Sequence, residues 1–258
     1  MSGAERKPDP GPFALGPEKS AAAVLCLHGL TGTPYEVRPL AEAFAAAGLR
    51  AVGPALPGHN ATPEALAAVS SWLDWVDAAR SELEELTARH ARVFAAGLSM
   101  GGLISLLLGS ERLVDGLVVV GVPLRLPRPI QWLVPFAKRF KPFLPKDGGS
   151  DIQDAAARAR HPSYPSMPLH AVHELTKLQR VVRGRLRQIT APILIAHGAL
   201  DRTANPRDAT QIYAGVESTE RELLLLPASG HVVPVDWDGP RLARVAAAFL
   251  LRHASPLR

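Results

Sequence analysis

Short apolar runs alternate with segments of helical periodicity along most of this chain. The runs contain few polar residues, so they suit strands whose two faces are both covered. The predicted strands cover residues 21–27, 50–54, 93–96, 115–122, 192–197 and 221–226. The predicted helices cover residues 35–47, 102–108, 206–214 and 240–253, and a further amphipathic helix ends near Arg89. This alternation predicts an α/β fold with a mostly parallel central sheet and helices on both faces.

Two segments break the alternation. Residues 1–20 are polar and rich in proline and glycine, which predicts a loose N-terminal arm. Residues 123–189 contain scattered prolines and helix-like pieces but no convincing strand. An insertion here follows the C-terminal end of a sheet strand, where open α/β sheets bind ligands. We therefore expect a core of residues 21–122 and 190–258, and a cap, or lid, of residues 123–189 over the site.

The sequence Gly97-Leu98-Ser99-Met100-Gly101 lies between a predicted strand and a predicted apolar helix. A G-x-S-x-G pattern in this context is typical of a nucleophile elbow, a sharp turn that exposes a strained serine. Side chains at Gly97 and Gly101 would collide across so tight a bend. The following helix directs its N-terminal N–H groups towards the serine, where an oxyanion would form. Ser99 is the predicted nucleophile, and the alternative is a simple Gly-Ser turn between two core elements.

A serine nucleophile needs a base that removes its proton and an acid that orients the base. In this architecture the chain order is serine, acid, histidine. Asp201 and His231 each follow a predicted strand, and they stand in the required order. Asp208 is a weaker candidate because it is expected in the first turn of a helix, where a carboxylate offsets the dipole. We predict a catalytic triad of Ser99, Asp201 and His231.

An oxyanion hole completes such a site. One donor is expected to be the backbone N–H of Met100, the residue after the nucleophile. The second is expected in the loop after an early strand, and the sequence His28-Gly29-Leu30 provides it through the Leu30 N–H.

The predicted cap is rich in apolar residues that could line an acyl pocket. We assign Trp132, Phe136, Phe140 and Met167 to substrate binding. Lysine and arginine residues among these aromatic side chains also suit transient contact with an anionic membrane surface. A pocket wall with a solvated outer face is the favoured interpretation.

A metal site is weighed at His170 and His173, which are three residues apart. No third ligand stands at a suitable spacing, so we predict no metal and no cofactor.

The composition narrows the class of protein further. Hydrophobic residues make up 47% and charged residues 21% of the 258 residues, which is ordinary for a globular enzyme. The net charge of +5 is dispersed along the chain, so no nucleic-acid partner is predicted. Cys26 is the only cysteine, which excludes an intrachain disulfide. Without a signal-peptide pattern or a run long enough for a membrane span, we expect a cytoplasmic monomer or weak homodimer.

Four motifs in this order resemble those of the α/β-hydrolase family: HGLTG at 28–32, GLSMGG at 97–102, HGALD at 197–201 and SGH at 229–231. The resemblance is greatest to small bacterial carboxylesterases, which are themselves similar to monoacylglycerol lipases. It implies the α/β-hydrolase fold, with a small helical cap after the sixth strand of the family's sheet. It also implies cofactor-free cleavage of carboxylic esters with short- to medium-chain acyl groups.

Other functions stay open at this point. Within the enzyme class, the rivals are a monoacylglycerol lipase, a thioesterase, and an acyltransferase that passes the acyl group to an alcohol or thiol. Outside it, the same fold could serve as a ligand receptor that hydrolyses slowly or not at all.

Overall fold

Seven strands form one sheet in the part of the chain that the computed structural model describes, residues 9–146 and 148–254. In chain order these strands are β1 (Phe13–Leu15), β2 (Ala22–Leu27), β3 (Arg50–Gly53), β4 (Arg92–Leu98), β5 (Leu117–Val120), β8 (Ile193–Gly198) and β9 (Arg221–Leu226). Their spatial order is β1-β3-β2-β4-β5-β8-β9, and every neighbouring pair except β1 and β3 is parallel. The predicted α/β class with a mostly parallel sheet is confirmed.

The described residues also form the helices α1 (Arg38–Ala46), α2 (Pro63–Ala67), α3 (Trp72–Thr87), α4 (Met100–Ser110), α5 (Arg128–Ala137), α6 (Ala155–Arg160), α7 (Leu169–Arg185), α8 (Arg207–Gly215) and α9 (Gly239–Ala254). Helices α1 and α9 pack on one face of the sheet, and α3, α4 and α8 pack on the other. No helix among the described residues combines the length and the apolar character needed to cross a bilayer.

Strand β2 shows why the apolar runs are so uniform. Leu25 and Leu27 belong to the apolar cluster that contains residues of α3, α4 and α8. Val24 and Cys26 belong to the cluster on the other side, which contains residues of α1 and α9. Because both faces are buried, every position along the strand needs an apolar residue.

The prediction of a loose arm is wrong for residues 13–15. These residues form β1, which pairs antiparallel with β3, and Phe13 is buried. The Phe13 ring lies where a side chain at Gly53 would be, and the Arg38 guanidinium stacks over it at 4.8 Å. A strand of three residues among prolines and glycines is too short to show a period of two. Its order comes from pairing and packing with distant residues. Residues 1–8 of the predicted arm lie outside the described residues.

The chain between β5 and β8 contains α5, α6, α7 and a second, two-stranded antiparallel sheet of β6 (Phe143–Pro145) and β7 (Ser166–Pro168). The prediction that this segment has no strand is therefore wrong. Both strands are three residues long and end in proline, so they show no alternation of apolar and polar residues that would predict a strand. Leu175 and Leu178 of α7 join the same apolar cluster as α4, so the segment rests on the core beside the predicted nucleophile.

Candidate active site

Ser99 occupies the turn between β4, which ends at Leu98, and α4, which begins at Met100. Its backbone has a φ of 54° and a ψ of −114°, a combination that is strained for a residue with a side chain. The Ser99 N–H donates to the Val120 carbonyl at 2.8 Å and so ties the turn to β5. The structure thus places Ser99 at a strained turn, on the wall of a cavity.

Glycine is required on both sides of this turn. A Cβ at Gly97 would overlap the backbone carbonyl of Gly101, and a Cβ at Gly101 would overlap the carbonyl of Leu27. The collision predicted from the sequence is confirmed, and it extends to the neighbouring strand β2. Only residues without a side chain allow β4, the turn and α4 to approach this closely.

Asp201 and His231 meet at the ends of neighbouring strands, since Asp201 follows β8 and His231 lies in the loop after β9. His231 Nδ1 is 2.8 Å from Asp201 Oδ2. The other carboxylate oxygen accepts the backbone N–H groups of Thr203 and Ala204, each at 2.8 Å. With its Nδ1 hydrogen directed at the carboxylate, the imidazole keeps Nε2 for proton transfer.

The two side chains shift each other's pKa values. Burial by itself would raise the pKa of Asp201, but the charge of His231, the contact with His197 and the hydrogen bond with His231 hold this pKa well below its ordinary value. Burial would lower the pKa of His231, yet the Asp201 carboxylate raises it above the ordinary 6.5. Both shifts reflect the attraction between a carboxylate and an imidazolium where little water is present. The arrangement therefore favours proton uptake by His231 while Asp201 stays ionised.

A second imidazole contacts the same carboxylate. His197 Nε2, in β8, lies 2.9 Å from Asp201 Oδ2, and the His197 side chain is 1% exposed. His197 begins the HGALD motif, and the structure puts its ring directly against the Asp201 carboxylate.

Asp236 and Asp151 hold the loops of the site, and no motif in the sequence indicates a role for either of them. Asp236 Oδ2 accepts the N–H of Gly230, the residue before the histidine, at 2.8 Å. The backbone carbonyl of Asp151 accepts the His231 N–H at 2.9 Å, and its side chain accepts the Arg202 N–H at 2.7 Å. Asp151 therefore bridges the loop of His231 and the loop of Asp201.

The predicted oxyanion donors, Leu30 and Met100, both lie beside Ser99. Met100 is the first residue of α4, so its N–H has no acceptor within the helix. Leu30 lines the same cavity as Ser99. It follows Gly29, where a Cβ would lie 3.4 Å from the Ser99 Cβ.

His28 fixes the loop that carries Leu30. Its Nε2 accepts the Leu56 N–H at 3.1 Å, and its Nδ1 lies 2.9 Å from the Gly29 carbonyl. Because Nε2 accepts, Nδ1 carries the hydrogen and donates to that carbonyl. Burial lowers the pKa of His28, which favours this neutral form.

A cavity of about 650 Å³ opens in front of Ser99 and His231. This volume lies within the usual range for small-molecule sites. Apolar side chains from α5, α7 and the loop before α5 line much of it: Leu126, Ile130, Leu133, Val134, Val172 and Leu175. Polar side chains also line it: Thr31, Glu36, Lys146, Ser150 and Thr203. The cavity can thus contact an apolar chain and a polar group at once.

The assignment of four cap residues to the pocket needs correction. Met167 lines the cavity, but Trp132, Phe136 and Phe140 do not, and they are 76%, 70% and 88% exposed. The α5 residues that line the cavity, such as Ile130 and Val134, are four positions apart and share one face of the helix. Trp132 and Phe136 are also four positions apart, but they lie on the opposite face. Helical periodicity would have separated the two groups.

His170 and His173 do not form a metal site in the described residues. Their Nδ1 atoms lie 3.5 Å and 2.8 Å from Lys138 Nζ. The Lys138 ammonium donates hydrogen bonds to both imidazoles. It therefore occupies the position that a metal ion would need if both rings were its ligands.

Comparison with known proteins places these features in a family. A family model described as serine aminopeptidase, S33, matches residues 18–238. A thermostable monoacylglycerol lipase of Bacillus sp. (strain H-257) is 31% identical over 255 residues, which cover 98% of this chain and 97% of that protein. A carboxylesterase of Bacillus subtilis (strain 168) is 29% identical over 232 residues, covering 88% of this chain and 90% of that protein.

Solved structures agree with this placement. A structure from work on the metagenome-derived lipolytic enzymes LipS and LipT is 32% identical, has a TM-score of 0.88, and is matched over 95% of this chain and 98% of that one. The monoacylglycerol lipase of Paleococcus ferrophilus has a TM-score of 0.79 over 94% of this chain and 98% of its own; at 18% identity it shares the fold. The chain belongs to the serine aminopeptidase S33 family and has the α/β-hydrolase fold.

Proposed function

We propose that this protein is a serine hydrolase that cleaves carboxylic esters through an acyl-enzyme. One observation carries the proposal: Ser99, with its strained backbone, and His231 line the same cavity, and Asp201 binds Nδ1 of His231. The names of two similar proteins, a monoacylglycerol lipase and a carboxylesterase, support ester hydrolysis.

The mechanism uses each part of the site. Ser99 Oγ attacks the ester carbonyl while His231 Nε2 accepts its proton, and Asp201 stabilises the imidazolium that forms. The Leu30 and Met100 N–H groups donate to the oxyanion of the tetrahedral intermediate. His231 then protonates the departing alcohol, and water that His231 activates hydrolyses the acyl-enzyme.

The lining of the cavity suggests the substrate. We propose that its apolar wall binds a short- to medium-chain acyl group. A monoacylglycerol is the second candidate, because Thr31, Lys146 and Ser150 line the same cavity and would contact glycerol hydroxyls.

Replacing the nucleophile tests this function. Ser99→Ala is expected to lower the kcat for p-nitrophenyl esters by more than about 10⁴-fold, since the attacking oxygen is lost. The measurement compares acyl chains from acetyl to palmitoyl, with an optimum expected at short or medium length. Ser110→Ala, which removes another buried hydroxyl from α4, is the control and should keep wild-type turnover. Wild-type turnover by Ser99→Ala would contradict the mechanism, and absence of turnover by the wild-type protein would favour a receptor.

The pH dependence follows from the raised pKa of His231. Below this pKa the imidazole is protonated and cannot accept the serine proton, so kcat/KM should fall as the pH falls. We expect the midpoint of this fall to lie above the ordinary imidazole value of 6.5. A profile of kcat/KM for p-nitrophenyl butyrate from about pH 5 to about pH 9 measures it. A midpoint below that value would contradict the assigned pairing.

We also propose that the exposed face of α5 makes transient contact with anionic membranes. Trp132 and Phe136 project from this face, and Phe140 follows it. Arg139 and Lys141 are exposed beside them. Exposed aromatic rings next to cations match the chemistry of an anionic lipid interface.

A triple variant separates this role from a place in the pocket. Trp132→Ser/Phe136→Ser/Phe140→Ser should bind phosphatidylserine vesicles at low salt at least about tenfold more weakly. Its kcat/KM on soluble p-nitrophenyl butyrate should stay within about twofold of wild type, because the three side chains lie outside the cavity. Trp237→Ser removes an exposed tryptophan elsewhere and is the control for binding. Unchanged vesicle binding by the triple variant would refute the contact.

A further inference from the structure

The carboxylate of Glu36 is buried against the loop that carries the oxyanion donor Leu30. Glu36 lies in a turn of 3₁₀ helix, Pro34–Val37, directly after this loop, and it is 4% exposed. Its Oε2 accepts the Gly29 N–H at 2.8 Å. Burial of a carboxylate lowers the stability of the folded state unless hydrogen-bond donors surround the charge. The donors around Glu36 must therefore offset this cost.

Two glycines give the carboxylate its place. A Cβ at Gly32 would overlap the carboxyl group of Glu36, and a Cβ at Gly29 would lie 3.1 Å from Oε2. The same position at Gly29 is 3.4 Å from the Ser99 Cβ. Glu36, Gly29 and Ser99 are therefore packed in series, with no side chain between them.

A histidine from the segment between β5 and β8 lies against the other carboxylate oxygen. His161 Nε2 lies 3.1 Å from Glu36 Oε1, and the His161 side chain is 1% exposed. The Nδ1 atom of the same ring lies 2.7 Å from Ser150 Oγ.

These contacts keep Glu36 ionised. Burial would raise the pKa of Glu36, but the contact with His161 and the Gly29 N–H lower it to about 2. At neutral pH the side chain is an anion, and charge-assisted hydrogen bonds to an anion are stronger than neutral ones.

Gly29 is thus held on both sides. Glu36 binds its N–H, and His28 donates to its carbonyl, which belongs to the same peptide group as the Leu30 N–H. A glycine has unusually free φ and ψ angles, so without these two contacts the direction of the Leu30 N–H would be poorly fixed. An oxyanion donor is effective only when it is oriented before the charge develops.

We propose that Glu36 is a positioning residue for the oxyanion hole and that His161 acts through it. The inference rests on the proposed ester hydrolysis. Because the effect concerns a charge that appears only in the transition state, loss of Glu36 should lower kcat and leave KM nearly unchanged. The segment that covers the cavity would then contribute to catalysis through one histidine.

The test compares three variants on p-nitrophenyl butyrate. Glu36→Ala should lower kcat by about ten- to a hundredfold, with KM within about twofold of wild type. Glu36→Gln keeps an oxygen for the Gly29 N–H and should stay within about threefold of wild type. Asp208→Ala is the matched control, because Asp208 is equally buried at 4% and its carboxylate accepts the Leu124 N–H at 2.8 Å. Values of kcat are taken per active site, counted by the end point of phosphorylation with diethyl p-nitrophenyl phosphate.

A double-mutant cycle tests the role of His161. His161→Ala should lower kcat less than Glu36→Ala, and the double variant should be no slower than Glu36→Ala alone. Losses that multiply in the double variant would overturn the coupling. A loss in Glu36→Ala no larger than in Asp208→Ala, or no recovery in Glu36→Gln, would overturn the positioning role. Absence of Ser99-dependent turnover by the wild-type protein would instead refute the ester hydrolysis on which the inference rests.

Discussion

The strained turn at Ser99 dictates which elements surround it. Backbone conformations of this kind cost about 1–3 kcal/mol and persist only where their surroundings enforce them. Here the surroundings are an entirely buried helix, α4, and glycines at 97 and 101 that pack directly on backbone carbonyls. The turn therefore requires a central strand before it and an apolar helix after it. With these in place, the ends of β8 and β9 bring Asp201 and His231 to the same edge of the sheet.

Buried carboxylates organise the loops at this edge. Asp201 accepts two backbone N–H groups of its own loop, Asp236 accepts that of Gly230, and Glu36 accepts that of Gly29. Loops lack the repeating hydrogen bonds of helices and strands, so their N–H groups need other acceptors. An ionised oxygen meets this need and fixes the loop. At Asp201 and at Glu36 an imidazole nitrogen also lies close to a carboxylate oxygen, at 2.8 Å and 3.1 Å.

The parts of the molecule that could be predicted from the sequence are those with local patterns. The turn at Ser99 and the strand–helix alternation depend on residues that are close in the chain. The contacts of Glu36 with His161 and of Asp151 with Arg202 could not be predicted, because each joins segments far apart in sequence through one or two side-chain contacts. The strand of Phe13 could not be predicted either, because pairing with β3 and packing on Gly53 order it, and both contacts are distant in sequence. The exposed aromatic residues of α5 are different, since helical spacing alone would have placed them on the outer face.

In the proposed mechanism Ser99 carries the acyl group during turnover. Rapid acid quench of the protein during hydrolysis of p-nitrophenyl octanoate, followed by peptide mass spectrometry, detects this intermediate. The mass of one octanoyl group should be added to the peptide that contains Ser99. An octanoyl adduct on a different residue, or turnover with no covalent adduct at any quench time, would contradict this mechanism.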